Sequence, residues 1–262
     1  MIKKILLLLI TFTVLISAQS RSNVIYLYNS GSSGGAVDPT SVSDMQGRLA
    51  PAQLSAANWI NTTQSQTFTG LGSPSITAVN DNNVLNFNSS GYYINGGVTG
   101  IFQNNASVLT GFLAINVTGA QPTGYVTFID NNLGTTHNWR IEVIAGKIRL
   151  TMTDATTNVI ISSTSDFSSQ GWQVICWQLD QQNKTVNLYE MGELVTNTNA
   201  AFVPQNYNAQ WNGSRIGTNL STVWTGASIT DIVTYSRLLT ISEINGIANF
   251  IAAEVGAIWI NQ

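Results

Sequence analysis

Between Trp139 and Met152 apolar side chains fall on every second residue, on both sides of a break at Ala145-Gly146. Trp139, Ile141 and Val143 alternate with Arg140 and Glu142, and Ile148, Leu150 and Met152 alternate with Lys147, Arg149 and Thr151. In an extended chain successive side chains point to opposite faces, so this period puts the apolar groups on one side of a hairpin and the charged groups on the other. A sheet with one apolar face needs a second layer to cover it.

From Ile76 onward the chain repeats this theme as short apolar runs parted by Asn, Gly and Asp turns. Strands are expected at Val84–Phe87, Gly111–Val117, Tyr125–Ile129, Val159–Ser162, Trp172–Leu179, Thr185–Tyr189 and Ile229–Tyr235. Trp172–Leu179 is apolar on both faces and reads as a central strand. Thr240-Ile241-Ser242-Glu243 is a capping box, and behind it Ile244, Ile247, Ala248, Ile251, Ala252 and Val255 form one helical stripe that stops at Gly256. The expected fold is all-β, a two-sheet antiparallel jelly-roll sandwich with a short C-terminal helix.

The first twenty residues read as a secretory signal peptide: Lys3 and Lys4, an apolar run from Ile5 to Ile16, then small residues. Without them eight basic and thirteen acidic side chains remain, net −5. Charged residues make up 9% of the chain, where an average soluble protein has roughly 25%, so Asn, Thr, Ser, Gln and Gly must cover the surface. Such a surface suits neither nucleic acid nor an anionic membrane. After cleavage the chain is expected to be secreted or held at the cell surface, with no membrane insertion. Val24–Tyr28 alternates like a strand, and Gly31–Thr40 reads as a loop. Residues 41–70 are poorly patterned and read as irregular, with at most a short helix near Pro51–Trp59. This divides the chain into the signal at 1–20, an N-terminal strand and irregular segment at 21–75 packed on the sandwich, and the sandwich itself at 76–262. Cys176, the sole cysteine, lies in an apolar run and reads as a buried thiol. Trp139, Trp172, Trp177 and Trp259 read as core.

Three segments carry a family resemblance. Gly171–Trp177 followed by Val186–Val195 pairs two strands across a Tyr-acidic-x-Gly turn; Ser214-Arg215-Ile216-Gly217 is a short strand closed by Gly; and Trp224–Ile244 joins an aromatic-x-Gly turn, an alternating strand and an Arg-Leu step to a final helix. This order resembles the C-terminal half of laminin-G-like domains of the concanavalin A-like superfamily. The resemblance implies a jelly roll that binds carbohydrate or an extracellular protein at loop rims or on the concave sheet. It also implies a candidate calcium site, for which Asp130 and Asn131 offer hard oxygen ligands in a turn; Asp81-Asn82-Asn83 is a second such turn. For both turns the favoured reading is the simpler one, in which Asp and Asn bond their own backbone.

Catalytic patterns are missing. There is no Glu-x-Asp-x-x-Glu strand motif of the related glycosidases, and the nearest carboxylate pair, Glu190 and Glu193, flanks Met191-Gly192 and reads as a solvated hairpin tip. The single histidine, His137, precedes a strand without a nucleophile elbow or a second ligand. No catalytic residue is assigned. Recognition is expected instead from loop aromatics and amides, with Tyr207, Trp211, Asn212 and Trp224 as the candidate ligand contacts; Trp224 serves equally as a cap on the core. Two other classes fit the composition: a structural or adhesive component of an envelope, appendage or viral fibre, and a carbohydrate-active enzyme lacking the familiar motifs.

Overall fold

The computed structural model describes residues 35–63, 65–88, 91–95, 108–118, 126–130, 138–154, 156–168, 170–190, 193–204, 214–217, 225–257 and 259–262. The expected signal peptide and the Val24–Tyr28 strand lie outside these residues.

Sixteen strands are described: β1 (Met45–Leu49), β2 (Asn58–Asn61), β3 (Gln66–Leu71), β4 (Ser75–Val79), β5 (Asn82–Asn88), β6 (Tyr92–Asn95), β7 (Val108–Val117), β8 (Val126–Asp130), β9 (Asn138–Ile144), β10 (Lys147–Thr153), β11 (Asn158–Ser162), β12 (Trp172–Asp180), β13 (Thr185–Glu190), β14 (Glu193–Thr198), β15 (Ser214–Ile216) and β16 (Thr225–Tyr235). They form two antiparallel sheets. The first runs β14-β13-β12-β7-β16-β5-β4, with β1 also paired to β16; the second runs β11-β10-β9-β8-β15-β6-β3-β2. One helix, α1 (Ile241–Val255), closes the chain.

The alternating hairpin holds in register, Ile148 opposite Val143, Leu150 opposite Ile141 and Met152 opposite Trp139. Its apolar face meets Ile175, Trp177, Leu179, Val186 and Leu188 of the first sheet in one continuous core. Trp139 of β9 and Trp177 of β12 pack across the two layers with ring centroids 5.8 Å apart. Beside Trp177, β7 carries Gly111, where a Cβ would stand 2.2 Å from the indole ring. The glycine makes room for the tryptophan.

The opposite face of the first sheet is also buried. Phe112, Ala114, Val174, Cys176, Val233 and Tyr235 pack against Ile244, Ile247, Ala248, Ile251 and Val255 of α1. That second layer explains why β12 is apolar on both faces, and it lies inside the sheet as expected. Thr240 and Glu243 complete the capping box and Gly256 takes the left-handed conformation, φ 63°, that ends the helix. Cys176 is a fully buried free thiol, and burial drives its pKa well up. Trp139, Trp177 and Trp259 are core residues, and Trp172 is partly buried.

The N-terminal segment differs from the sequence reading. Residues 41–70, expected to be irregular with at most a short helix near Pro51–Trp59, supply β1, β2 and all but the last residue of β3, and in place of a helix there is a three-residue 3-10 turn, Pro51–Gln53, followed by β2. The strand β1 pairs with β16, and the β2–β3 pair extends the second sheet. These strands are short and rich in Asn, Gln and Thr, so alternation alone does not reveal them. β16 carries an irregularity between Thr230 and Val233, where Asp231 adopts φ 50°. There its partner changes from β5, along Thr225–Ile229, to β1, along Ile232–Tyr235.

At one lateral margin the edge strands of the two sheets, β14 and β11, are stitched by amides. Asn197 Nδ2 donates to the Ile160 carbonyl at 2.5 Å and Asn199 Nδ2 to the Asn158 carbonyl at 3.0 Å.

Candidate functional site

One end of the second sheet gathers the segments that the sequence singles out. Antiparallel pairing sets Asn95 opposite Ser214, Asp130 opposite Arg215 and Arg140, and Asn138 opposite Thr153. The C-terminal ends of β6 and β8 therefore adjoin the N-terminal ends of β15 and β9. From these ends depart segments 96–107, 131–137 and 205–213. Tyr207, Trp211, Asn212 and Asn131 lie outside the described residues, as does His137, and of Asp130 only the backbone position is described.

The root of the 205–213 segment is held firmly. Phe202 is buried in the inter-sheet core, and its N–H donates to the Asn199 carbonyl at 3.0 Å. Val203 N–H donates to Asp154 Oδ2 at 2.7 Å. The other oxygen, Asp154 Oδ1, accepts from Thr156 N at 2.7 Å and Thr157 N at 2.6 Å. Burial works against the charge of Asp154, yet these backbone donors hold its carboxyl below the usual value. Lys184 Nζ donates to the Ala200 carbonyl at 2.6 Å, adding a second tether. One carboxylate thus joins the β10–β11 turn to the chain leading into the candidate ligand segment. At its far end that segment enters β15, whose Arg215 is buried.

Trp224 attaches elsewhere. It precedes Thr225 at the start of β16, the end of the first sheet that also holds Val117, Trp172 and Glu190. Trp224 itself is outside the described residues. At this second end Glu190 is fully buried, not solvated as the hairpin reading expected; its Oε1 accepts from Thr164 N at 2.7 Å. The Thr164 hydroxyl bridges toward Glu190 and contacts Glu193, whose side chain is exposed. Burial raises the Glu190 carboxyl, opposed by the Thr164 and Ser165 amides. A signal for this was present: Val186, Leu188 and Glu190 fall on alternate positions of one strand, so the register that buries the first two buries the third.

The outer face of the second sheet carries an ionic cluster that the alternation placed but did not mark as a site. Arg149 Nε and Nη2 reach Glu142 Oε2 at 2.9 and 2.6 Å. Arg140 approaches Glu142 Oε1 through Nε at 3.2 Å. Among the described residues no group of three or more His, Cys, Asp or Glu side chains converges as a metal site.

No protein-family model matches the chain, and no curated protein matches it. Solved structures do. The binding domain of botulinum neurotoxin DC in complex with rat synaptotagmin II aligns over 80% of this chain and 51% of its own at 13% identity, TM-score 0.60. A structure concerned with cell entry of botulinum neurotoxin type C through two ganglioside molecules aligns over 79% and 51% at 14% identity, TM-score 0.59. The likeness is one of fold. Domain 4 of AbnA, an extracellular arabinanase of Geobacillus stearothermophilus in complex with arabinotriose, aligns over 78% of this chain and 98% of its own at 13% identity, TM-score 0.58. The chain spans about half the length of the neurotoxin domains it matches and nearly all of the arabinanase domain.

Proposed function

We propose that this protein is a non-enzymatic binding domain, secreted or held at the cell surface, that recognises carbohydrate through one rim of a laminin-G-like, concanavalin A-like sandwich. The reading is carried by the anchoring of the 205–213 segment: a buried aromatic, Phe202, and a carboxylate with three backbone donors, Asp154, fix its root beside the strand ends of the second sheet. Recognition loops work when a rigid scaffold presents them. Tyr207 and Trp211 offer flat apolar faces for a sugar ring, and Asn212 offers an amide for its hydroxyls. Trp224, which immediately precedes β16 of the first sheet, is retained as a further contact. Support comes from the structural neighbours, one in complex with arabinotriose and another from a toxin whose cell entry is described as dependent upon interaction with two ganglioside molecules. An extracellular protein is the second partner class, supported by the neighbour bound to synaptotagmin II. Calcium is proposed at Asp130 and Asn131, where β8 ends at the same rim.

A glycan array run with calcium and with chelator, on the chain lacking residues 1–20 and on Trp211→Ala, tests this. Binding of a defined glycan set that Trp211→Ala abolishes is the expected result. Failure of every glycan under both conditions rejects the carbohydrate reading.

A further inference from the structure

We infer that two copies of this protein pair edge to edge through β4, antiparallel about a two-fold axis at Thr77, and that assembly stops at the dimer. An outermost strand presents unpaired amides and carbonyls, so each sheet margin has to be covered, protected or used. The two sheets have four margins among the described strands, and three are occupied. Asn197 of β14 and Asn199 just beyond it bond the β11 carbonyls of Ile160 and Asn158. At the end of the second sheet the chain folds back along β2. There Leu54 bridges to Trp59, Ser55 N–H donates to the Asn58 carbonyl at 2.8 Å, and Asn61 Oδ1 accepts from Arg48 N at 3.3 Å.

β4 is the exception. It ends the first sheet, pairs with β5 alone among the described strands, and leaves Thr77 and Ala78 exposed. Ser75–Val79 has none of the usual protections: it contains no charged residue and no proline, and its register with β5 runs through without a bulge. The strand also matches itself. Paired antiparallel with its own copy over all five residues, Thr77 faces Thr77, Ile76 faces Ala78 and Ser75 faces Val79. Opposed residues then share a face of the joined sheet, as strand pairing requires. Ile76, which packs against the inter-sheet core, meets the small Ala78 and not a second Ile76, and the two threonines form a favourable cross-strand pair. The nearest charge along the chain, Asp81, falls opposite Ser73, so like charges do not meet. This self-matching selects a second copy as the occupant. A two-fold pairing uses the same edge of both partners, and with the other margins occupied no third copy can add.

Five paired residues make a small contact, so monomer and dimer exchange with concentration. Sedimentation equilibrium on the chain lacking residues 1–20, from about 1 μM to about 1 mM, spans weak association. The average mass is expected to rise to twice that of the monomer and no further. Thr77→Lys sets two ammonium groups opposite each other at the axis and is expected to stay monomeric throughout. Thr77→Cys, oxidised, is expected to give a disulfide-linked dimer on a non-reducing gel, because opposed Cα atoms of an antiparallel pair lie about 4.5–5.5 Å apart. Ser75→Cys, whose two copies stand more than about 13 Å apart along the strands, is not. Cys176 is buried and stays out of this exchange. Thermal melts confirm that the variants fold, and if Thr77→Lys does not, the wild-type mass and the two cysteine variants decide. A monomer at every concentration, species larger than a dimer, association that survives Thr77→Lys, or equal cross-linking of Thr77→Cys and Ser75→Cys overturns the inference. None of these outcomes touches the carbohydrate reading, which the glycan array tests separately.

Discussion

Arg48 and Asp231, 183 residues apart, form a two-pronged ion pair, Nε to Oδ1 and Nη2 to Oδ2, each at 2.7 Å. The pair sits where β16 changes partner from β5 to β1, and Arg48 Nη2 also reaches Glu254 Oε2 of α1 at 2.7 Å. One guanidinium therefore ties the N-terminal strand, the irregular turn of β16 and the last turn of the helix. Phe250 covers it, with the ring centroid 5.1 Å from Cζ. Asp231 is fully buried, so deleting its carboxylate removes both prongs of the ion pair and leaves a largely buried cation with Glu254 alone. Asp231→Ala is expected to destabilise the fold by about 3–5 kcal/mol, the range for breaking a buried pair on one side. Urea denaturation against wild type measures it.

Glu254 makes this junction sensitive to pH. Burial raises its carboxyl, and the neighbouring Asp231 raises it further against the pull of Arg48, to about 8. Tyr235, which also faces the cluster, is itself raised by burial and stays neutral throughout this range. In the unfolded chain Glu254 titrates near its ordinary 4.5. Between these values the folded state holds a proton that the unfolded state has released, so stability falls as pH rises from about 4.5 to about 8 and levels off above. Chemical denaturation across that window should show the decline, and Glu254→Gln, which keeps a neutral side chain, should flatten it.

At the acid end the sign reverses. The Glu243 carboxyl is held down to about 2 by the Arg237 guanidinium, with burial opposing and the Thr240 amide and hydroxyl assisting. Its contribution is present above about pH 4.5 and lost as pH falls toward 2. Arg237→Met is expected to weaken the helix start and to raise the acid midpoint of unfolding, followed by circular dichroism.

Gly111 admits Trp177 because a Cβ there would stand 2.2 Å from the indole ring. Gly111→Ala should cost about 1–3 kcal/mol, the range for overpacking a filled core. A near-ultraviolet dichroism change from the Trp139–Trp177 pair should accompany the drop in melting temperature.

The Asp154 carboxylate anchors the root of the proposed ligand segment through Val203 N–H. Asp154→Ala is expected to speed amide hydrogen exchange at Thr156, Thr157 and Val203, and to weaken glycan binding more than it lowers the melting temperature. Exchange measured by mass spectrometry alongside calorimetry separates the two effects.

The sandwich was legible wherever one strand carried its own pattern. Trp139–Met152 shows its register because every second residue is apolar, and α1 shows its start because Thr240 and Glu243 sit three apart. β1 was illegible for the opposite reason: Met45–Leu49 contains little alternation, and its pairing partner lies at Ile232–Tyr235. Long-range pairing leaves no local trace. For the site, the sequence points to the loop chemistry of Tyr207, Trp211 and Asn212, whereas the described structure shows what roots that segment. That Glu142 is taken up by Arg149 is a property of rotamers, which spacing does not encode.

The stitching of β14 to β11 bears on how copies of this protein can meet. An open strand margin is a template for another chain, and lysine side chains are one common guard. This chain has few lysines to spend, and on that flank Asn197 and Asn199 occupy carbonyls of β11 instead. The guard is neutral, so raising the salt concentration will not strip it as it would a guard made of charges.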